Sequence, residues 1–422
     1  MALNNSSSGP ARRPVAALRP PFPNPFRPGA GHMPPYLAGR TIEEDEFKKL
    51  LQQTVILKNL VLTGLRGVGK TVLLESFRPT ASQHGWLWAG TDLSESTSVT
   101  EHTIAARILA DLASVTASMA ITEETRFRAG FATSDIKAQR LLTYATLMEM
   151  FESTPGLIAD KLKAVLEITW SCARTHSHKG MIFAYDEAQT LTDNAPRDEY
   201  PFSLLLDVFQ SIQRKNIPFM LILTGLPPLI IKLSETRTYT ERMFHTIFLR
   251  ELSRTASRDA IQEPVRKAGC PVSFSENAVE IICEKSGGYP YFIQFICREA
   301  FDDYLNDPNP KTRNSLKMQN IVAKLDADFF HGRWQRATDR QRELLEVISI
   351  LPTAGNEFTV REIVAESKNT LERPFGASQV NQMLDSLTKM GLIFKHRHGR
   401  YSFAVPLLHE FIQRQNDFVR LC

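Results

Sequence analysis

Two stretches of this chain combine residue types at spacings that can do chemistry on a phosphate. Residues 63–74 read TGLRGVGKTVLL, where Gly64, Gly69, Lys70 and Thr71 fit G-x-x-x-x-G-K-[ST], with Gly67 as an extra glycine inside the loop. Glycines there let the backbone curl around phosphates with its N–H groups pointing inward, and the following helix offers its positive end. Lys70 then neutralises the outer phosphates, the Thr71 hydroxyl serves Mg²⁺, and Arg66, Val68 and Val72 complete the cradle. The bland alternative is a glycine-rich turn with no ligand. Against it, an apolar run, VILKNLVLT at 55–63, leads straight into the loop, and VLLESF follows with helical character.

The second stretch, MIFAYDEAQ at 181–189, is an apolar run that ends in Asp186–Glu187. A strand that buries its body and presents two carboxylates at its C-terminal end places Asp186 near the metal and Glu187 near an attacking water. Read alone, the acid pair is equally a solvated strand end. In LILTGLPP at 221–228, Thr224 closes another buried strand, where a hydroxyl can reach the terminal phosphate or the lytic water. The competing reading is a threonine that caps the strand before a turn.

These groups need a scaffold that brings strand ends together. Strand-like runs at 55–63, 85–93, 180–187, 218–225 and 245–252 alternate with helical stretches, which predicts an α/β domain with a parallel sheet covered on both faces. Residues 1–40 hold nine prolines, a composition that predicts disorder over the first ~20 residues. An extended strap, carrying Phe26, Tyr36 and Leu37, is then expected on the following domain. Thr41 is a candidate N-cap for the run TIEEDEFKKLL. After residue 252 the pattern turns helical, with candidate N-caps at Ser257 and Ser275 and the pair in SGGYP closing one helix and opening another. The expected units are an extended segment 1–34, an α/β domain 35–252, a helical lid with linker 253–316, and a third unit 317–422.

The third unit reads as three amphipathic helices with Thr359 and Ser378 as N-caps, then two short strands joined at His398–Gly399. This is the order of a winged helix-turn-helix. Its helix at 378–390 offers Gln379, Asn381, Gln382, Ser386 and Lys389 to base edges and phosphates, and its wing carries Lys395, His396, Arg397, His398 and Arg400. Asp385 opposes the helix's one cation, and such modules also dock proteins, so a partner-docking role stays open.

GLRGVGKT, FAYDEAQ, TGLP, YTERMFHTIFLREL at 239–252 and GGYPYFIQ at 287–294 together resemble AAA+/STAND P-loop ATPases near the origin-recognition initiator group, over about residues 35–305. The resemblance implies five parallel strands, a helical lid, and ATP with Mg²⁺ between them. It implies that Leu37, Gly39 and Arg40 of LAGR line the adenine pocket, and that Arg242, in competition with Arg237, is an arginine finger or sensor. Two departures stand out. Initiator-type ATPases carry a sensor arginine where this chain has Tyr289–Pro290–Tyr291, closer to the G-x-P of STAND switches, which implies slow, state-dependent hydrolysis. The span from Thr71 to Asp186 is also long, with the surplus assigned to an insertion around 122–156. The implied function is an ATPase switch, with a homo-oligomer or a protein partner as expected assembly, whose nucleotide state controls DNA binding or assembly; the alternative is a STAND-type scaffold that recruits a protein without DNA.

Composition sets the outer bounds. Of 422 residues 43% are hydrophobic and 23% charged, enough for several folded domains. Five scattered cysteines suggest neither a disulfide framework nor a zinc ribbon. A net charge of +4 gives no bulk argument for nucleic acid. The longest apolar run, at 217–233, is broken by prolines and is shorter than the ~20 residues of a membrane span. With prolines where a leader would need its apolar core, the expected location is the cytoplasm.

Overall fold

The computed structural model describes residues 22–29, 31–129, 132–270, 272–306, 316–397 and 399–421. The disorder expected at the N-terminus and the linker at 307–315 therefore fall outside the described residues.

Helix α1 (Thr41–Leu50) precedes strand β1 (Asn59–Gly64), which runs through the glycine loop into α2 (Lys70–Gln83) and β2 (Trp86–Ala89). Then come α3 (Glu101–Thr116), a hairpin of β3 (Ala120–Ala129) and β4 (Ala132–Leu141), α4 (Tyr144–Ser153) and α5 (Ile158–Ala173). The domain is completed by β5 (Gly180–Tyr185), α6 (Pro201–Arg214), β6 (Phe219–Gly225), α7 (Pro228–Thr236), α8 (Thr240–Met243) and β7 (Phe244–Leu249). Five strands form one parallel sheet in the order β2-β5-β6-β1-β7. Every residue of β1, β5 and β6 is buried, the mark of central strands covered on both faces, whereas β7 at the edge is only partly covered. One face packs on α1 and α2 through Phe47, Leu73 and Phe77, and the other on α3 to α7 through Ile108, Phe151, Leu166 and Phe209. The fold class is thus α/β, as expected, and all five strands lie where the sequence places them.

The surplus before β5 resolves into two parts. Strands β3 and β4 pair antiparallel from Ala120↔Leu141 to Ala129↔Ala132. Helix α4, by contrast, belongs to the domain, with Leu147 and Phe151 buried in its core.

The lid consists of α9 (Arg254–Ala268), α10 (Glu276–Ser286) and α11 (Pro290–Asn306). Ser275 caps α10 as expected, but α9 is capped by Ser253, whose Oγ accepts from Ala256 N at 3.2 Å. Ser257 lies buried inside that helix, one turn too late to cap it. The strap follows expectation only in part: Leu37 packs on the α/β core, whereas Phe26 and Tyr36 dock on the lid. Phe26 packs edge-on against Phe274 and Phe301, and Asn24 Nδ2 donates to Asp302 at 2.8 Å. At the start of α1 the cap position is Arg40 and Thr41 is already helical.

Beyond the linker, α12 (Met318–Leu325) continues into a π-helical segment (Asp326–His331) and α13 (Gly332–Trp334). Helices α14 (Asp339–Ser349), α15 (Val360–Thr370) and α16 (Ala377–Lys389) follow, with strands β8 (Phe358–Thr359), β9 (Ile393–Arg397) and β10 (Arg400–Phe403), and then α17 (Leu408–Leu421). The three short strands form an antiparallel sheet in the order β8-β10-β9. Thr359 caps α15 in a reciprocal capping box with Glu362, whereas α16 starts at Ala377 with Gly376 in the cap position, so Ser378 is no cap. The lid and this third unit share one apolar core: Phe292 of α11 packs on Phe330, which stacks on Phe411 of α17 at 5.3 Å between ring centroids. No helix among the described residues is long and apolar enough to cross a membrane.

Candidate nucleotide site

The glycine loop sits at the carboxyl end of β1, between β6 and β7, where the parallel sheet opens a crevice. Gly67 and Gly69 take left-handed φ of 80° and 91°, which a residue with a Cβ adopts only under strain. A Cβ on Gly64 would stand 2.5 Å from the Leu249 carbonyl oxygen, and one on Gly67 would stand 3.1 Å from Tyr291 Cβ. The loop's curled backbone therefore depends on glycine at these positions.

A cavity of about 330 Å³ opens on this loop. Its floor is Arg66, Gly67, Val68, Gly69, Lys70, Thr71 and Val72; Glu187 and Leu226 bound it on the sheet side. The strap supplies Arg27, His32, Tyr36, Leu37 and Arg40, and the lid supplies Leu252, Ala260, Pro290, Tyr291 and Gln294. Phe329 and Arg333, from the segment that leads into the third unit, complete the wall. Lid and loop are joined directly, since Tyr291 N donates to Gly67 O at 3.1 Å.

Lys70 Nζ donates to the carbonyls of Gly64 and Leu65, each at 2.9 Å. Burial lowers its pKa to about 8, against the pull of Asp186 and Glu187. Thr71 Oγ1 donates to Asp186 Oδ2 at 2.5 Å, so the hydroxyl and carboxylate expected to share a metal are side by side. Asp186 is buried at the end of β5, and desolvation raises its pKa, opposed by the hydrogen bonds from Thr71 and from Glu187 N. Glu187 is exposed and has φ of 53°, a left-handed conformation uncommon for a non-glycine residue. Gln189 holds it in place: its Nε2 donates to Glu187 Oε2, while its Oε1 accepts from Leu226 N at 2.9 Å. Lys232 of α7 in turn donates to Gln189 O and Leu191 O, fixing the turn after β5.

Other expected residues lie elsewhere. The Thr224 hydroxyl is fully buried without a hydrogen-bond partner, and Leu226, two residues on, reaches the cavity in its place. Arg40 stays in the cavity wall, where it is buried and clamps the loop, with Nη2 donating to Val68 O and Arg250 O at 2.9 Å each. Gly39 lies outside the wall; its φ is 64°, and a Cβ there would meet Ala256 of the lid at 2.4 Å. Tyr289 turns away from the cavity into the cleft below, while Pro290 lines the cavity. Arg237 is held by Asp207, Nη2 donating at 2.8 Å, and Arg242 is exposed with no ion pair among the described residues. Both precede β7, at the end of the sheet opposite the cavity, and the six-residue strand puts Arg242 about 20 Å from its own loop.

On the third unit, Gln379, Asn381, Gln382, Lys389 and Lys395 are exposed and Arg400 is half-buried. Ser386 Oγ accepts from Gln341, and His396 faces Ser402 at 2.8 Å. The side chain of Arg397 and residue 398 lie outside the described residues. Sequence reasoning missed Gln189, Gln294 and Arg333. Gln294 stands one helical turn after Pro290, a spacing that could have revealed it; Arg333 carries no sequence signal, because a linker separates it from every motif.

The comparisons with known proteins bear on the fold. A family model described as a domain of unknown function, DUF8462, matches residues 327–412. No curated protein matches the chain. Among solved structures, the Walker-type ATPase PABY2304 of Pyrococcus abyssi is similar at a TM-score of 0.55 and 16% identity, covering 89% of this chain and 96% of that one. The Aeropyrum pernix ORC2 protein, solved in ADPNP–ADP complexes, is similar at a TM-score of 0.52 and 14% identity, covering 93% of this chain and 98% of that one. At such identities the likeness speaks to architecture alone: the chain has the parallel-sheet α/β fold of the AAA+ P-loop ATPases.

Proposed function

We propose that the chain binds and hydrolyses ATP with Mg²⁺, and that its nucleotide state controls DNA binding or assembly through the third unit, read as a winged helix. One observation carries the proposal: the glycine loop, Lys70, Thr71 and Glu187 border one cavity, Asp186 is hydrogen-bonded to Thr71 behind its wall, and the cavity also touches strap, lid and the segment entering the third unit. The donor set suits the ligand. Mg²⁺ prefers one or two carboxylates together with phosphate oxygens and water, which is what a lone buried carboxylate beside a hydroxyl offers. Bound there, it would neutralise charge on the outer phosphates. Lys70, Arg66 and the inward loop amides would hold the phosphates, Tyr36 and Leu37 would flank the base, and Glu187 would orient and deprotonate the attacking water. Thr224, with its hydroxyl buried, is left a supporting role under that end of the site.

The controlling experiment is fluorescence anisotropy of a labelled ~40 base-pair duplex without nucleotide, with ADP and with ATP, across a salt series. We expect affinity that falls steeply with salt and changes with nucleotide. No binding in any state would sink the DNA reading. The STAND-type alternative is favoured by the lid, where Pro290 lines the cavity and α11 brings no cation at its start. Under it, one protein partner co-purifies in stoichiometric amount and duplex DNA is ignored.

Arg242 serves as a finger only toward another copy, because it stands far from its own loop. Arg242→Ala should lower turnover in assembled protein and leave a proven monomer unchanged. Turnover measured against protein concentration decides this; an equal loss at concentrations where the chain is monomeric would contradict action between subunits.

A further inference from the structure

Arg333 belongs to neither the loop nor the lid, yet it lines the cavity. It also lines an adjoining cleft of about 400 Å³ with Arg66, Asp328 and Arg336. Three guanidiniums thus converge there, and none of the three makes an ion pair among the described residues. Asp328 is the one carboxylate on the cleft wall. Arg333 is half-buried over the Phe329 ring, its guanidinium carbon 4.2 Å from the centroid, and donates to Phe329 O. Burial, then repulsion from Arg66 and Arg336, lowers its pKa; Arg66 and Arg336 are themselves exposed, so Arg333 is the one held partly out of water beside like charges. Such an arrangement costs free energy without an anion and is relieved by one.

The position indicates which part of a nucleotide it meets. Lys70 bonds the carbonyls of Gly64 and Leu65, next to Arg66, so this side of the loop is the side of the outer phosphates. The opposite side, at Val68, is closed by Arg40 and leads to the apolar wall of Leu37, Ala38, Leu252 and Ala260. Arg333 is also mechanically part of the third unit. Phe330 stacks on Phe411, Trp334 packs edge-on to the same ring, and Arg414 of α17 pairs with Asp326 at 2.6 Å. The π-helical turn just before Arg333 is a rare backbone form that is frequently found at functional sites.

We infer that Arg333 binds the terminal phosphate of a nucleoside triphosphate in its own chain, so that the third unit distinguishes triphosphate from diphosphate. This rests on the reading of the cavity as a nucleotide site. A ligand shifts the orientation of a domain only by its differential affinity for the two arrangements, and a contact made to the terminal phosphate alone supplies such a difference.

The test is equilibrium binding of a non-hydrolysable ATP analogue and of ADP, each with Mg²⁺, to the full chain and its Arg333→Ala and Arg333→Lys variants. A charge-assisted contact of this kind corresponds to a loss of about 10- to 100-fold. That loss is expected for the triphosphate in Arg333→Ala, with ADP affinity held within about twofold, and Arg333→Lys should fall between, because it keeps the charge and loses the planar fork. If the alanine variant does not fold, the lysine variant decides by its triphosphate-to-diphosphate ratio. An unchanged ratio in the folded variants overturns the inference while leaving the nucleotide site standing; wild-type protein that binds neither nucleotide overturns both. Hydrogen exchange supplies a second readout: residues 326–337 should be protected by the triphosphate more than by ADP, and only when Arg333 is present. Equal protection by both nucleotides in the wild type would also overturn it.

Discussion

Lys70→Ala should remove nucleotide binding, lowering affinity for both ATP and ADP by about 1000-fold or more, as expected when one partner of a desolvated charge pair is truncated. The Lys70 side chain is half-buried and rests on two loop carbonyls, so its loss would leave bound phosphates without the cation at the centre of the loop. Titration calorimetry of the variant against wild type reads the effect, and retained tight binding would remove the cavity as the nucleotide site. Lys70 also gives the wild type a pH signature. With its pKa lowered to about 8, Lys70 is protonated below that pH and neutral above it. A phosphate binds the protonated form better and so raises the pKa in the complex. With the nucleotide's terminal phosphate already ionised above pH about 7, affinity should change little from there to pH about 8 and fall by up to tenfold per pH unit above it, until the pKa of the complex is reached. In Lys70→Ala this slope should vanish.

Glu187→Gln should keep nucleotide affinity within about threefold and reduce hydrolysis by about 10²- to 10⁴-fold, the contribution of a positioned general base. Glutamine has the same size and can still pair with Gln189, so the backbone turn at Glu187 survives the change. What disappears is the ability to take a proton from water. Phosphate release under saturating ATP measures this; unchanged turnover would withdraw Glu187 as the water-activating group. The left-handed φ of Glu187 adds a structural reason for its assignment, since such a conformation aims a side chain where regular strand geometry would not.

Much of this site was legible in advance because its motifs are local. The glycine loop is set by steric freedom at Gly67 and Gly69, and the acid pair by the end of a continuous apolar strand, both written within a few residues. Strand positions were legible for the same reason, since β1, β5 and β6 are unbroken apolar runs. Capping was less legible, because several neighbouring residues can each cap and the helix start depends on packing: Ser275 and Thr359 cap as expected, but α9 is capped by Ser253 rather than Ser257, and α16 has Gly376 in the cap position with no side-chain bond.

The sequence by itself determined the residue types on which the proposed chemistry rests: a glycine loop with its lysine, a hydroxyl and a carboxylate suited to a cation, and a second carboxylate suited to activating water. Tertiary structure alone decided which groups meet. It buried the Thr224 hydroxyl away from the cavity, set Arg40 in the cavity wall with its guanidinium on the Val68 carbonyl, laid Phe26 of the strap on the lid, and brought Arg333 into the cavity wall. The physical reason is that these placements follow from long-range packing, the Phe292–Phe330–Phe411 core above all. Local spacing encodes backbone geometry over a few residues, whereas contacts between distant segments depend on how apolar faces match in three dimensions.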